Sequence, residues 1–484
     1  MNLLKDPLPN LQASLVVFLV ALPLSLGIAA ASGVPVQAGL IAAIVGGIVV
    51  GLAGGAPLQV SGPAAGLTVM VFGIVQQYGL KALGVIVVLT GILQMAMGLF
   101  RLARVALLLS PAVLHAMLAG IGILISLGQT QVILGAKPQG SAWLNLAHLP
   151  SAIAHVSLPA LIVGGVTLAT LLGWNRFIAP HFKTIPGSLV SILLGTGVSF
   201  FLPGSIERVN LGEGLFRNFN WPSPDGFAFT ALLQSALALT VVASAESLLC
   251  AVATDQLHKG PRANLDRELF GQGLGNLLSG AFGGLPITGV IVRSSANIAS
   301  GATTQLSAIL HGAWIALFVA VGSGLISLLP MAALAALLVH VGVNLVKVKE
   351  IRKLITYREW PIYLATLLGV VFINLLWGIG IGFGLALVLA ARRLGQARVE
   401  MRSEGGTTFV EFRGQLSFLA VPSLMSSLRS IPAGQHVQIS FDVDLLDHAA
   451  VDAIHNWQIG HENTGGKVEK PALDQVWASL NGQG

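Results

Sequence analysis

Two charged side chains stand in stretches of sequence where charge is scarce: Glu246 in ALTVVASAESLLCAVATD and Arg293 in PITGVIVRSSAN. An arginine stays protonated and presents a planar fork of N–H donors, so its chemistry is holding an anion or pairing with a carboxylate, Glu246 included. Glu246 has Ser244 and Ser247 beside it. It can brace a neighbouring helix, bind a ligand, or exchange a proton as its surroundings alternate between water and protein. His115, His311 and His340 are scattered and form no metal-ligand cluster, and no Walker loop is present, so the residues call for neither a metal, nor a cofactor, nor an ATP-driven pump. No constellation of catalytic groups marks an enzyme.

A second source of chemistry lies in the backbone. Gly54-Gly55-Ala56-Pro57 followed by Ser61-Gly62-Pro63 recurs, altered, as Gly283-Gly284-Leu285-Pro286 followed by Thr288-Gly289, at an offset of 229 residues. Helix N-termini carry free N–H groups and the positive end of the dipole, which makes them anion sites. Two short helices meeting nose to nose would therefore focus positive potential on an anion. It would lie between Ser61, Gly62, Pro63, Ala64 and Ala65 on one side and Thr288, Gly289, Val290, Ile291 and Val292, leading to Arg293, on the other. Gln59 and Thr68 supply further polar side chains, with Ser247 and Cys250 as neighbours of Glu246. The competing reading of the repeat is a tight helix-packing motif.

Such groups need a membrane to matter, and the composition supplies one. The 484 residues are 54% hydrophobic and 10% charged, against about 25% charged in an ordinary soluble domain. Between Asp6 and Lys81, for instance, no Asp, Glu, Lys or Arg occurs. Hydropathy and turn residues predict fourteen spans, near 11–32, 36–54, 61–77, 82–100, 112–133, 157–175, 187–203, 229–254, 265–283, 287–302, 304–325, 329–346, 361–377 and 379–394. The two openers fall at the third and tenth spans. An odd separation inverts the second copy, so the pattern is that of an inverted repeat, about 11–203 and 229–394, with interrupted helices at matching places. With both termini cytoplasmic, the inner ends and loops collect fourteen basic residues, among them Arg101, Arg104, Lys183, Lys347, Arg352 and Arg358. The other side has Lys81, Lys137, Arg208 and Arg217. These charges read as topological anchors, not as a nucleic-acid surface. The connections 134–156 and 204–228 read as loops with interfacial segments, holding Trp143 and Trp221 near headgroups.

From about Arg398 the chain turns polar. Strands are expected at 407–412 and 436–441, with helices over 416–428 and about 449–459. This is a small cytoplasmic α/β unit at 399–484, separate from a membrane domain at 1–395.

Five stretches resemble the SulP (sulfate permease) family of anion transporters: QVSGPAAG at 59–66, AESLLCAVATD at 245–255, NLDRELFGQGLGNLLSGAFGGLPITG at 264–289, VRSSANIASG at 292–301 and LPMAALAALL at 329–338. The resemblance implies an all-α polytopic membrane protein of fourteen spans in a 7+7 inverted repeat, divided into core and gate domains. It further implies an anion site between the third and tenth spans, a homodimer in the bilayer and an elevator-like movement of the core. The tail is similar to the family's STAS domain through FVEFRGQLSFLAVPSLMSSL and HVQISFDVDLLDHAAVDAI. It is short at its C-terminal end, and it has Asp447-His448-Ala449 where related domains often place Ser or Thr, which argues against phosphoregulation there. Sodium-coupled bicarbonate members place Asp where Glu246 stands and a small hydroxyl residue near Cys250, which favours H+ over Na+ as the coupled cation. The expected activity is secondary transport of a small inorganic anion across a bacterial inner membrane, bicarbonate first, then dicarboxylate, sulfate or chloride. An uncoupled channel or exchanger, and a membrane sensor or scaffold acting through the tail, are the alternatives.

Overall fold

The computed structural model describes residues 7–103, 110–139, 141–178, 185–210, 222–224, 226–394 and 397–471; Arg104, Lys183, Arg217 and Trp221 lie outside them. The chain divides into two compact units, Met1–Gly382 and Phe383–Gly484.

The first half of the first unit opens with helix α1 (Pro7–Ala31) and α2 (Val36–Ala53), the latter containing a π-helical turn at Gly46–Val50. Glycine lets that turn lie against its neighbours: a Cβ on Gly46 would sit 2.8 Å from the Ser61 carbonyl, and one on Gly47 2.8 Å from the Gly312 Cα. Strand β1 (Ser61–Pro63) follows, then a 3-10 turn at Ala65–Leu67 and helix α3 (Thr68–Leu99). Helix α3 breaks at Gly79, whose φ of 79° lies in the left-handed region. The break falls between the predicted spans 61–77 and 82–100. Helix α4 (Pro111–Ile133) is capped by Ser110, whose Oγ accepts from the Ala112 N–H at 3.2 Å. Helix α5 (Ala142–Ala154) replaces part of the expected loop; Trp143, Leu146 and Ile153 are exposed along it while Asn145 and Ala152 are buried. Helices α6 (Leu158–Gly173) and α7 (Gly187–Ser199) complete this half.

The second half runs through α8 (Phe229–Asp255), α9 (Leu265–Ala281), strand β2 (Ile287–Gly289), α10 (Ile291–Ala299), α11 (Leu306–Ile326), α12 (Met331–Leu345), a short amphipathic helix α13 (Val348–Thr356) and α14 (Trp360–Phe372). Helix α15 (Leu375–Leu394) crosses the division between the units. Among the described residues, seven stretches are long and apolar enough to cross a bilayer, and four shorter apolar helices accompany them. The expected span at 287–302 is instead a three-residue strand and a nine-residue helix. Polar residues within NLDRELFGQGLGN cut into the apolar run of α9 in the same way. The chain is an all-α polytopic protein of the membrane with a small α/β tail.

Helices α3 and α9 meet along a seam of glycines. A Cβ on Gly91 would collide with the Leu277 backbone N, one on Gly98 would lie 2.6 Å from the Phe270 N, and one on Gly280 2.7 Å from the Val88 N. Without Cβ atoms the backbones approach to contact, which supplies van der Waals packing where lipid removes the hydrophobic incentive.

The second unit carries a four-stranded sheet in the order β3-β4-β5-β6: β3 (Ala397–Glu404), β4 (Thr407–Leu416), β5 (His436–Leu446) and β6 (Lys467–Glu469). The β3–β4 pair is antiparallel and the other two are parallel. Helices α16 (Val421–Arg429) and α17 (His448–Glu462) bury Leu424, Leu428, Ala450, Ile454 and Trp457 with Val410, Phe412, Val437 and Ile439 of the sheet. Asp447 caps α17, its Oδ1 accepting from the Ala450 N–H at 2.9 Å. Strand β3 was not foreseen: Arg398, Glu400, Arg402 and Glu404 alternate along it, a pattern that suits an edge strand as well as a solvated linker.

Candidate functional site

The two openers come together, but as strands. β1 and β2 pair antiparallel, with Ser61 opposite Gly289, Gly62 opposite Thr288 and Pro63 opposite Ile287. The expectation of helices beginning at 61 and 288 is corrected: the residues between each GGxP and its helix are extended, and the helices start at Ala65 and Ile291. The pairing satisfies backbone groups that would otherwise be stranded in a low-dielectric interior.

One face of α9 fastens both strands. Glu268 accepts four hydrogen bonds: from the Gly55 and Ala56 N–H groups to Oε2, each at 2.9 Å, and from Gln59 Nε2 and Gln272 Nε2 to Oε1 at 2.7 and 2.8 Å. Gln272 Nε2 also donates to Ser61 Oγ at 2.7 Å. One turn further on, Asn276 Oδ1 accepts from the Ile287 N–H at 2.6 Å, while its Nδ2 donates to the Ile287 carbonyl at 2.9 Å and to Gln94 Oε1 at 2.7 Å. Residues at i, i+4 and i+8 thus hold the first and second copies from a single helix face.

Arg293, the third residue of α10, is fully buried. Its Nη2 donates to Ser25 Oγ at 3.0 Å and reaches the Pro63 carbonyl at 3.5 Å, while Nε and Nη1 have no hydrogen-bond partner. Gly62 makes room for it, since a Cβ there would collide with Nη1. No ion pair joins Arg293 to Glu246 among the described residues, so the pairing entertained from sequence is not made. Glu246, on α8, lies against Gly66 at the head of α3: a Cβ on Gly66 would meet the carboxylate, with Oε2 at 3.0 Å. That Oε2 is buried and has no partner.

The remaining candidates sort by contact. Gln59 Oε1 and Thr68 Oγ1 are buried without partners. Neither Ala64, which leads the turn into α3, nor Val290, which leads α10, provides a side-chain cap to the first-turn N–H groups. Two amides in the predicted set are engaged: Gly289 N–H donates to Ser247 Oγ at 3.2 Å and Val290 N–H to the Val60 carbonyl at 3.0 Å. The Thr288 side chain is buried beside them. Ile291 and Val292 are 37% and 48% exposed, so their side chains leave the site; on a helix whose inward face carries Arg293, Ser294 and Asn297 they point elsewhere. Cys250 Sγ lies 3.7 Å from Ser294 Oγ, tying α8 to α10. Glu268 is missing from the residues predicted above, although Asn264, Glu268, Gln272 and Asn276 recur in the sequence as a ladder at helical spacing. The ladder was the signal that could have found it.

The sulfate permease family profile matches residues 8–366. The chain belongs to this family. Among sulfate permease relatives, YvdB of Bacillus subtilis is 28% identical over 449 residues, covering 89% of this chain and 83% of its own. The bicarbonate transporter BicA of Picosynechococcus sp. is 29% identical over 401 residues, covering 79% and 69%. The structure of the murine Slc26a9 anion transporter, in its inward-facing state, covers 99% of this chain and 88% of its own with a TM-score of 0.82 at 16% identity, a likeness of fold. The C-terminal sheet is the STAS-like subdomain of a family whose work is transport rather than catalysis.

Proposed function

We propose that this sulfate permease family member, a secondary active anion transporter, carries bicarbonate, coupled to H+ through Glu246. The observation that carries the anion site is Arg293: a fully buried guanidinium with donors at two unpartnered nitrogens and no carboxylate paired to it among the described residues. A buried charge without a counter-charge is costly, and a bound anion removes that cost. The anion sits between the two openers, reached by Arg293 and by first-turn N–H groups near Ala64, Ala65 and Ile291, with Gln59, Ser61, Gly62, Pro63, Thr68, Thr288, Gly289 and Val290 forming its surroundings. Glu246, on the other side of the α3 head, takes up a proton when the site closes around it and releases it when water or charge returns.

The β1–β2 pair supports an inverted 7+7 repeat, because each half contributes one strand followed by one helix. In this reading the fourteen spans form a core, carrying the site, and a gate, and the core moves in an elevator-like step. The membrane domain occupies 1–395 and the STAS-like domain 399–484, both termini are cytoplasmic, and the protein is a homodimer in a bacterial inner membrane. Likeness to BicA favours bicarbonate; the family description keeps sulfate as the second reading. Dicarboxylate and chloride follow, and Na+ is the second choice of cation.

Proteoliposome uptake of bicarbonate, sulfate, chloride and fumarate, with proton and sodium gradients imposed separately, tests this. Bicarbonate accumulation should follow the proton gradient, and Glu246→Gln should abolish that response while leaving anion binding intact. Accumulation driven by Na+ alone, or an unchanged proton response in the Gln variant, rejects the coupling scheme.

A further inference from the structure

A partly open cavity of about 40 Å³ is lined by Ala31, Thr68, Val69 and Phe72 together with residues of α4 and α5 and the turn between them. Thr68 belongs to the candidate site, and the rest of the lining does not. Gln129 lines the cavity from α4 and is only 5% exposed. Thr68 Oγ1, also in the lining, is buried and without a partner. The mouth, by contrast, is rigidly made. Asn145 Nδ2 donates to the Gln139 and Ser141 carbonyls at 2.8 and 2.9 Å, its Oδ1 accepts from the Gln139 N–H at 2.9 Å, and its own carbonyl accepts from Gln131 Nε2 at 2.7 Å.

We propose that this cavity is a loading station for a small oxyanion, in which Gln129 and Thr68 receive the anion from the side of the bilayer where α4 and α5 join, before it passes to Arg293. A buried hydroxyl without a partner in a largely apolar cavity is costly unless something polar visits it, and the Gln129 carboxamide lines the same cavity. An amide and a hydroxyl offer neutral donors, strong enough to replace water on an oxyanion and too weak to hold it, as a station on a path requires. The proposal rests on the anion-transport reading above and adds a residue, Gln129, and a direction of entry.

Gln129→Leu in proteoliposomes should raise the KM for uptake from the α4–α5 side about fivefold, the equivalent of one net hydrogen bond. The KM for transport in the opposite direction should change less. Gln129→Cys should react with a membrane-impermeant thiol reagent added on that side, faster than from the other side and above the background of the parent protein, whose single Cys250 is buried. Bicarbonate or sulfate should slow the reaction. If Gln129→Cys does not fold, Val69→Cys in the same lining serves the same test. Equal reactivity from both sides, no reactivity, or an unchanged KM in Gln129→Leu overturns the station. If the parent protein moves no anion at all, the transport reading fails instead.

Discussion

Arg293 and Glu268 are two buried charges with opposite circumstances. Glu268 is saturated by four neutral donors, whereas Arg293 keeps two nitrogens unused. Their variants should therefore fail differently. Arg293→Ala should leave a folded protein that has lost anion affinity by about 2–5 kcal/mol, the range for truncating one partner of a buried charged pair; calorimetric titration of the purified protein measures it, and unchanged affinity rules out direct contact. Lys should rescue poorly, since it lacks the planar fork. Glu268→Ala should chiefly lower stability, by about 3 kcal/mol or more, because the Gly55 and Ala56 N–H groups and Gln59 lose their acceptor inside the protein. A thermal unfolding midpoint equal to the parent's would contradict this. Arg293 and Glu246 were legible in the sequence because a charge deep in an apolar run has few innocent explanations. Glu268 was not: it stands between Arg267 and a polar ladder near the start of a helix, where a carboxylate reads as interfacial.

At the level of elements, the long apolar helices were readable from hydropathy, and the places where polarity or glycine interrupts them were not. The segment 59–66 looks like the start of a helix because Ser-Gly-Pro suits a first turn, yet its extended form depends on β2, which no local propensity encodes. Helix α5 was hidden by Pro150 and by its two-sided composition. The glycine seam between α3 and α9 shows the same dependence, since each glycine matters only for what lies opposite. Gly91→Ala forces a methyl onto the Leu277 backbone, which cannot yield as a flexible side-chain end would. It should cost about 1–3 kcal/mol as overpacking, read as a lowered unfolding midpoint. Gly73→Ala, with open space around the new methyl, should not, and equal midpoints for the two would remove the seam from the packing account.

On the scale of the molecule, the two units have cores of their own, the second built around Phe412, Leu424, Val437, Ile454 and Trp457. Truncation after Arg398 should therefore leave a membrane unit that still binds anion, although yield can fall; a monodisperse truncated protein without binding would make the tail part of the site. The site itself is assembled from distant parts of the chain. Val60 N–H donates to Ser294 Oγ across 234 residues, and Gln59 to Glu268 across 209. Synthesis delivers those parts in order, at about 5–20 residues per second, so the first strand waits roughly 10–50 seconds for its partners. During that interval Gly55, Ala56 and the edge of β1 have no acceptors from their own chain. The nascent protein is most vulnerable to proteolysis and mispairing before α9 emerges, and the proposed anion site cannot close until more than half of the chain has been made.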